Sequence, residues 1–152
     1  VLIDMEVAVA VGISLASILF IKRTIDLYSI ELVSENLETH KDMPKDILIY
    51  DINGPMFFGA AQKAMKILLN SSDKRDIVIL NMKNVPLIDM TAMVALKSII
   101  DSFEIKNKKL ILSGLNNRVQ RKIERHMDYV TTFSNINDAI EYAKHFKNVV
   151  EE

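Results

Sequence analysis

Hydrophobic positions fall into three regimes along the chain. From Val7 to Ile21 (VAVAVGISLASILFI) no charged residue occurs, and Lys22 and Arg23 follow at once. Residues 24–45 (TIDLYSIELVSENLETHKDMPK) are polar, and Ile25, Tyr28, Leu32 and Leu37 form no wide apolar stripe. From Asp46 onward, short apolar runs alternate with segments whose apolar residues recur at helical spacing.

The third regime predicts the elements of a domain. Asp46–Asn53 (DILIYDIN) is a strand stopped by Gly54-Pro55. Gly59–Leu69 places Ala60, Ala61, Ala64, Met65, Leu68 and Leu69 at helical spacing, and Asn70–Asp76 reads as a turn. Ile77–Met82 (IVILNM) is almost continuously apolar, as a strand covered on both faces must be. Thr91–Phe103 carries Val94, Leu96, Ile99, Ile100 and Phe103 on one helical stripe. Lys109–Ser113 is a strand ended by Gly114, and Arg118–Met127 repeats Val119, Ile123 and Met127 every fourth residue. Tyr129–Phe133 is the last strand. Asn137–Val150 is the last helix, with Ala139, Ile140, Ala143 and Phe146 facing inward and an Asn135/Asp138 capping box before it. Strands alternating with helices of this length imply crossover connections. The expected fold is therefore α/β: a small, mainly parallel, mixed sheet of about four strands with about four helices. Ile77, Ile79, Leu80 and Leu112 are its expected core.

The first regime reads differently. Fifteen uncharged residues fall short of the roughly 20 that cross a bilayer core. A signal peptide does not fit, because the basic residues follow the apolar run and Asp4 and Glu6 precede it. Residues 1–23 read as the end of a transmembrane helix with Lys22 and Arg23 at the cytoplasmic surface. The plainer alternative is a buried or oligomer-forming apolar helix. A chain beginning at Val1 is expected to be a piece of something longer. Residues 24–45 read as a fraying helix that passes into a linker before Pro44.

Composition changes this picture only by exclusion. The chain has 152 residues, 49% of them apolar and 26% charged, an ordinary globular balance. It has no cysteine, which removes disulfide scaffolds, thiolate metal sites and cysteine nucleophiles. With 19 basic and 20 acidic residues, its formal charge of −1 gives no overall attraction to nucleic acid.

Candidate chemistry is sparse. There is no phosphate-binding GxxxxGK[ST], no GxGxxG and no GxSxG. His40, His126 and His145 have no partners at metal-ligand spacing, and Glu141/His145 reads as a surface pair. Two features stand out. Asn84–Leu96 (NVPLIDMTAMVAL) follows the buried strand and opens a helix, so Asp89 suits an N-cap with Met90 and Thr91 in the first turn. Such a terminus can also hold an anion. Then Lys106, Lys108, Lys109, Arg118, Arg121, Lys122 and Arg125 face Glu124 alone between positions 106 and 125. That is either a solvated helix face or a contact for acidic lipid, phosphate or an acidic partner.

Three stretches resemble a known family. INGPMFFGAA (Ile52–Ala61), with Gly54, Pro55, Phe57, Phe58 and Gly59, resembles the strand-end motif of SulP anion transporters. NVPLIDMTAMVAL resembles their Val-Pro-x-Ile-Asp loop, and Leu110–Arg125 resembles their strand, glycine and basic helix. Residues 46–150 are thus identified as a STAS domain, the fold shared with anti-sigma-factor antagonists, and Val7–Arg23 resembles the last SulP membrane helix. The antagonists' phosphorylated serine corresponds to Met90, which has no hydroxyl, and Thr91 is offset by one residue.

The resemblance implies the cytoplasmic domain of a bacterial permease for sulfate, bicarbonate or dicarboxylates, at the inner (plasma) membrane. It implies regulation, dimerisation or docking rather than catalysis. The expected partners are the membrane domain of the same transporter, a second copy and a cytosolic protein, with no nucleic acid. No metal or other cofactor is implied. Nucleotide binding is known in the family, but no motif here demands it. One of Phe57 and Phe58 is expected in the core and the other against the membrane domain. A free-standing antagonist-like binding module is the alternative, and a small flavodoxin-like enzyme is a third reading that lacks an acid–base pair.

Overall fold

The computed structural model describes residues 2–26, 29–33, 47–71, 76–127 and 129–150. Helix α1 (Leu2–Asp26) comes first, then strand β1 (Ser29–Leu32). The rest alternates: β2 (Ile47–Asn53), α2 (Phe58–Ser71), β3 (Ile77–Asn84), α3 (Met90–Ile105), β4 (Lys109–Ser113), α4 (Asn117–His126), β5 (Thr131–Phe133) and α5 (Ile136–Val150). The five strands lie in sequence order in one sheet. β2, β3, β4 and β5 are parallel, while β1 runs antiparallel along β2.

Side-chain alternation along the strands builds two unequal layers. Leu48, Tyr50, Ile52, Val78, Leu80, Met82, Leu110 and Leu112 pack with α2, α3 and α4. Ile47, Ile49, Ile77, Ile79 and Ile111 face the other way, against Ala139, Ile140 and Ala143 of α5. The unbroken apolar run of β3 is therefore covered on both faces, as its composition required. Toward the ends of the strands the α5 face turns polar: Asn81 Nδ2 donates to Asp51 Oδ1 (2.9 Å) and Asn84 Nδ2 to Asn53 Oδ1 (2.7 Å).

Four expectations change. The stretch read as a fraying helix and linker contains β1, so the sheet has five strands rather than four. Four residues, SIEL, at a half-exposed edge carry too little alternation to announce a strand, and only pairing with β2 defines it. Val94, read as a core position, is 63% exposed. It lies about 200° around the helix from Ala92, whose face is the buried one. Phe146, also expected inward, is 37% exposed at the rim, where its ring stacks on Tyr142. Strand β5 begins at Thr131, two residues later than expected. The expected stop before Pro44, His40 and most of the turn over Asn70–Asp76 lie outside the described residues.

Helix α1 stands apart from this core. Its Asp4–Arg23 window has a mean hydropathy of 1.9, long and apolar enough to cross a membrane, and none of it is buried.

Candidate functional site

The three motif stretches converge at one edge of the sheet, beyond the carboxyl ends of the parallel strands. Gly54 turns the chain out of β2 at φ 91°, a conformation glycine adopts without the Cβ penalty. The following residues zip onto the loop after β3. Gly54 N donates to Asn84 O (3.1 Å), Met56 N to Leu87 O (3.0 Å) and Asp89 N to Met56 O (3.2 Å). Met56 and Ile88 form an isolated parallel bridge, with both side chains buried. Pro55 removes a donor where no ladder continues. Phe57 stays 40% exposed, while its carbonyl accepts from Ala61 N to start α2. Phe58 and Gly59 form the first turn of α2.

Asp89 then caps α3 as its position predicts. Its backbone is extended (φ −86°, ψ 176°), and its Oδ1 accepts from Ala92 N at 2.6 Å. The same oxygen accepts the Thr91 hydroxyl at 2.8 Å. Thr91 is thus held by the cap rather than presented alone, and Met90 beside it is 49% exposed.

Helix α4 closes the corner. Asn116 Oδ1 accepts from Arg118 N and Val119 N, both at 3.0 Å, while its Nδ2 donates to Val85 O at 2.7 Å. Lys122 Nζ donates to Ile88 O at 2.7 Å. One asparagine and one lysine therefore tie the basic helix to the Asp89 loop. The sequence reading missed both roles. The signal for Asn116 was available, since it precedes the apolar repeat starting at Val119; that for Lys122 was not, because its acceptor is a backbone carbonyl 34 residues away. Gly114, at φ 70°, sits where an added Cβ would lie 2.8 Å from Asn81 Oδ1, so this corner also depends on its lack of a side chain.

The basic residues do not form one patch. Arg118, Arg121, Lys122 and Arg125 line a cleft of about 550 Å³ with Met90 and His126. Lys108 and Lys109 line another at the opposite end of β4, with Asp76, Glu104 and Phe146. Strand β4 separates the two groups, a distance that sequence proximity hides. Among the described residues, Arg118, Arg121, Lys122 and Arg125 make no ion pair with a carboxylate. Elsewhere on α3, Asp101 accepts from the Tyr129 hydroxyl (2.7 Å), which in turn accepts from Lys97 (2.9 Å). Tyr129's hydroxyl, then Asp101's charge, holds the Lys97 ammonium above its ordinary pKa. No three histidine or carboxylate side chains among the described residues gather as a metal site.

A family model described as the STAS domain matches residues 40–139. The bicarbonate transporter BicA of Picosynechococcus sp. is 30% identical over a match covering 82% of this chain and 24% of that protein. A crystal structure of a sulfate transporter family protein from Wolinella succinogenes aligns at 32% identity and TM-score 0.66, covering 74% of this chain and 97% of that one. The SulP transporter STAS domain from Vibrio cholerae aligns at 26% identity and TM-score 0.62, covering 73% and 91%. The chain spans about a quarter of the length of the curated relatives it matches.

Proposed function

The chain belongs to the STAS domain family, and on that premise we propose that it is the cytoplasmic regulatory domain of a SulP-type anion permease, joined to the end of a membrane-spanning helix. One observation carries the reading. An apolar helix with no buried residue in its Asp4–Arg23 window is separated from the first strand of the domain by two residues, 27 and 28. A soluble protein would expose that apolar surface to water at a cost of about 25 cal/mol per Å². A bilayer removes the cost and gives Lys22 and Arg23 their place at the cytoplasmic interface.

The membrane helix then runs through Arg23, and the domain proper begins at β1, the strand that receives the chain. Translocation and anion selectivity belong to a membrane part beyond these residues. The domain regulates or docks, and the corner formed by Gly54–Phe57, Asp89–Thr91 and α4 is its contact surface. The names of the similar proteins support sulfate or bicarbonate as the transported class.

The chain has no cysteine, which makes the test clean. A single Ile105→Cys variant places a thiol at an exposed position far from the corner. In cells it should stay with the membranes through an alkaline wash and react with a membrane-impermeant maleimide only after permeabilisation. Reaction in intact cells would reverse the orientation, and release by the wash would remove the membrane anchor.

A further inference from the structure

We propose that the α4 corner of the domain docks flat on an anionic bilayer surface, an inference that rests on the membrane reading of α1. Its starting point is the register of β1. Ser29 pairs with Asn53, the last residue of β2, and Leu32 with Tyr50. The chain therefore enters the sheet at the carboxyl edge of the parallel strands. Residues 27 and 28 leave three Cα–Cα steps between Asp26 and Ser29, a reach of at most about 11 Å, so this edge is held close to the end of α1. The opposite edge, with Lys106, Lys108 and Lys109, lies a strand's length further away.

The edge held near the membrane has the chemistry of a lipid-facing surface. Arg118, Arg121 and Arg125 are exposed on α4, with Lys122 anchored beside them. Met90 shares their cleft, Val94 stands one turn further along α3, and Phe57 projects from the neighbouring turn. Glu124 lies on α4 among these cations, where its Oε1 accepts from Gln120 Nε2, and Asp89 borders the group with its Oδ1 occupied by Ala92 N and Thr91. Cations grouped with exposed apolar side chains suit the boundary between headgroups and acyl chains. An acidic protein would satisfy the charge equally well. The short tether, residues 24–28 after Arg23, favours lipid, because it holds the surface beside the bilayer at high effective concentration.

Each basic side chain near an anionic leaflet contributes a factor of about five to docking, so removing three should shift the docked-to-free ratio about 100-fold. The probe is a spin label at Met90→Cys in the 152-residue chain, reconstituted in vesicles of phosphatidylcholine with or without phosphatidylglycerol. On vesicles with phosphatidylglycerol, the label should be shielded from an aqueous nickel chelate. It should become exposed on pure phosphatidylcholine, in high salt, and in the Arg118→Gln/Arg121→Gln/Arg125→Gln variant with unchanged circular dichroism. A label at Ile105→Cys should be equally exposed on both vesicle types. Equal exposure of the Met90 label on both vesicle types would overturn the proposal. So would equal shielding that the triple variant leaves intact, which would assign the face to a protein contact. Flotation in high salt scores the anchor separately. A chain that floats with Met90 exposed defeats docking alone, whereas a chain that detaches defeats the membrane reading on which it rests.

Discussion

Asp89 closes the first turn of α3 with one carboxylate oxygen shared by Ala92 N and the Thr91 hydroxyl. Replacing it by alanine frees two donors and should lower domain stability by about 0.5–2 kcal/mol in a urea melt. Asn keeps an acceptor at the same place and should restore most of that loss. If Asp89→Asn restores stability but not regulation of transport, the charge itself acts at the contact surface; if it restores both, the residue is a cap only. This residue was legible because a cap is a local device, readable from Asp89 and the helix that follows. The ties made by Lys122 and by the amide nitrogen of Asn116 were not legible in the same way. Their partners, Ile88 O and Val85 O, lie more than thirty residues away and become neighbours only once the sheet forms.

Among the elements, the buried parallel strands were the plainest in the sequence, because a strand covered on both faces must be apolar throughout. Leu112, on β4 between β3 and β5, is fully buried. Leu112→Ala should cost about 2–5 kcal/mol, and a loss below about 1 kcal/mol would mean that β4 is not central. Strand β1 was hidden for the converse reason. An edge strand needs no continuous apolar run, and its pairing with β2 crosses a stretch of polar chain. Its contribution can be separated from that of α1. A variant lacking residues 1–23 should fold and remain soluble, since α1 buries nothing of the core. A variant lacking residues 1–33 removes Ile30, Leu32 and Val33 from their packing and leaves β2 as an open edge. It should melt at lower urea and aggregate on heating. Equal melting curves for the two would make β1 dispensable; aggregation of the shorter deletion would make α1 part of the fold.

At the scale of the whole molecule, the proposed membrane reading of α1, with a short connection and an antiparallel edge strand after it, puts the carboxyl end of the parallel strands nearest the membrane. The order of these parts was legible in the sequence, since the apolar run, the polar stretch and the alternating elements follow one another without overlap. The orientation was not, because it depends on the pairing of Ser29 with Asn53. Nor was the division of the basic residues between two edges, which only β4 lying between them reveals. The central assignment is that this domain regulates anion transport without setting which anion is carried. Its most direct test is initial uptake of labelled sulfate and bicarbonate by vesicles. These carry either the complete protein that bears the domain or the same protein ending after Arg23. Loss of the domain should change the rate several-fold and leave the order in which competing anions inhibit uptake unaltered. An unchanged rate, or a changed order of competition, would contradict the assignment.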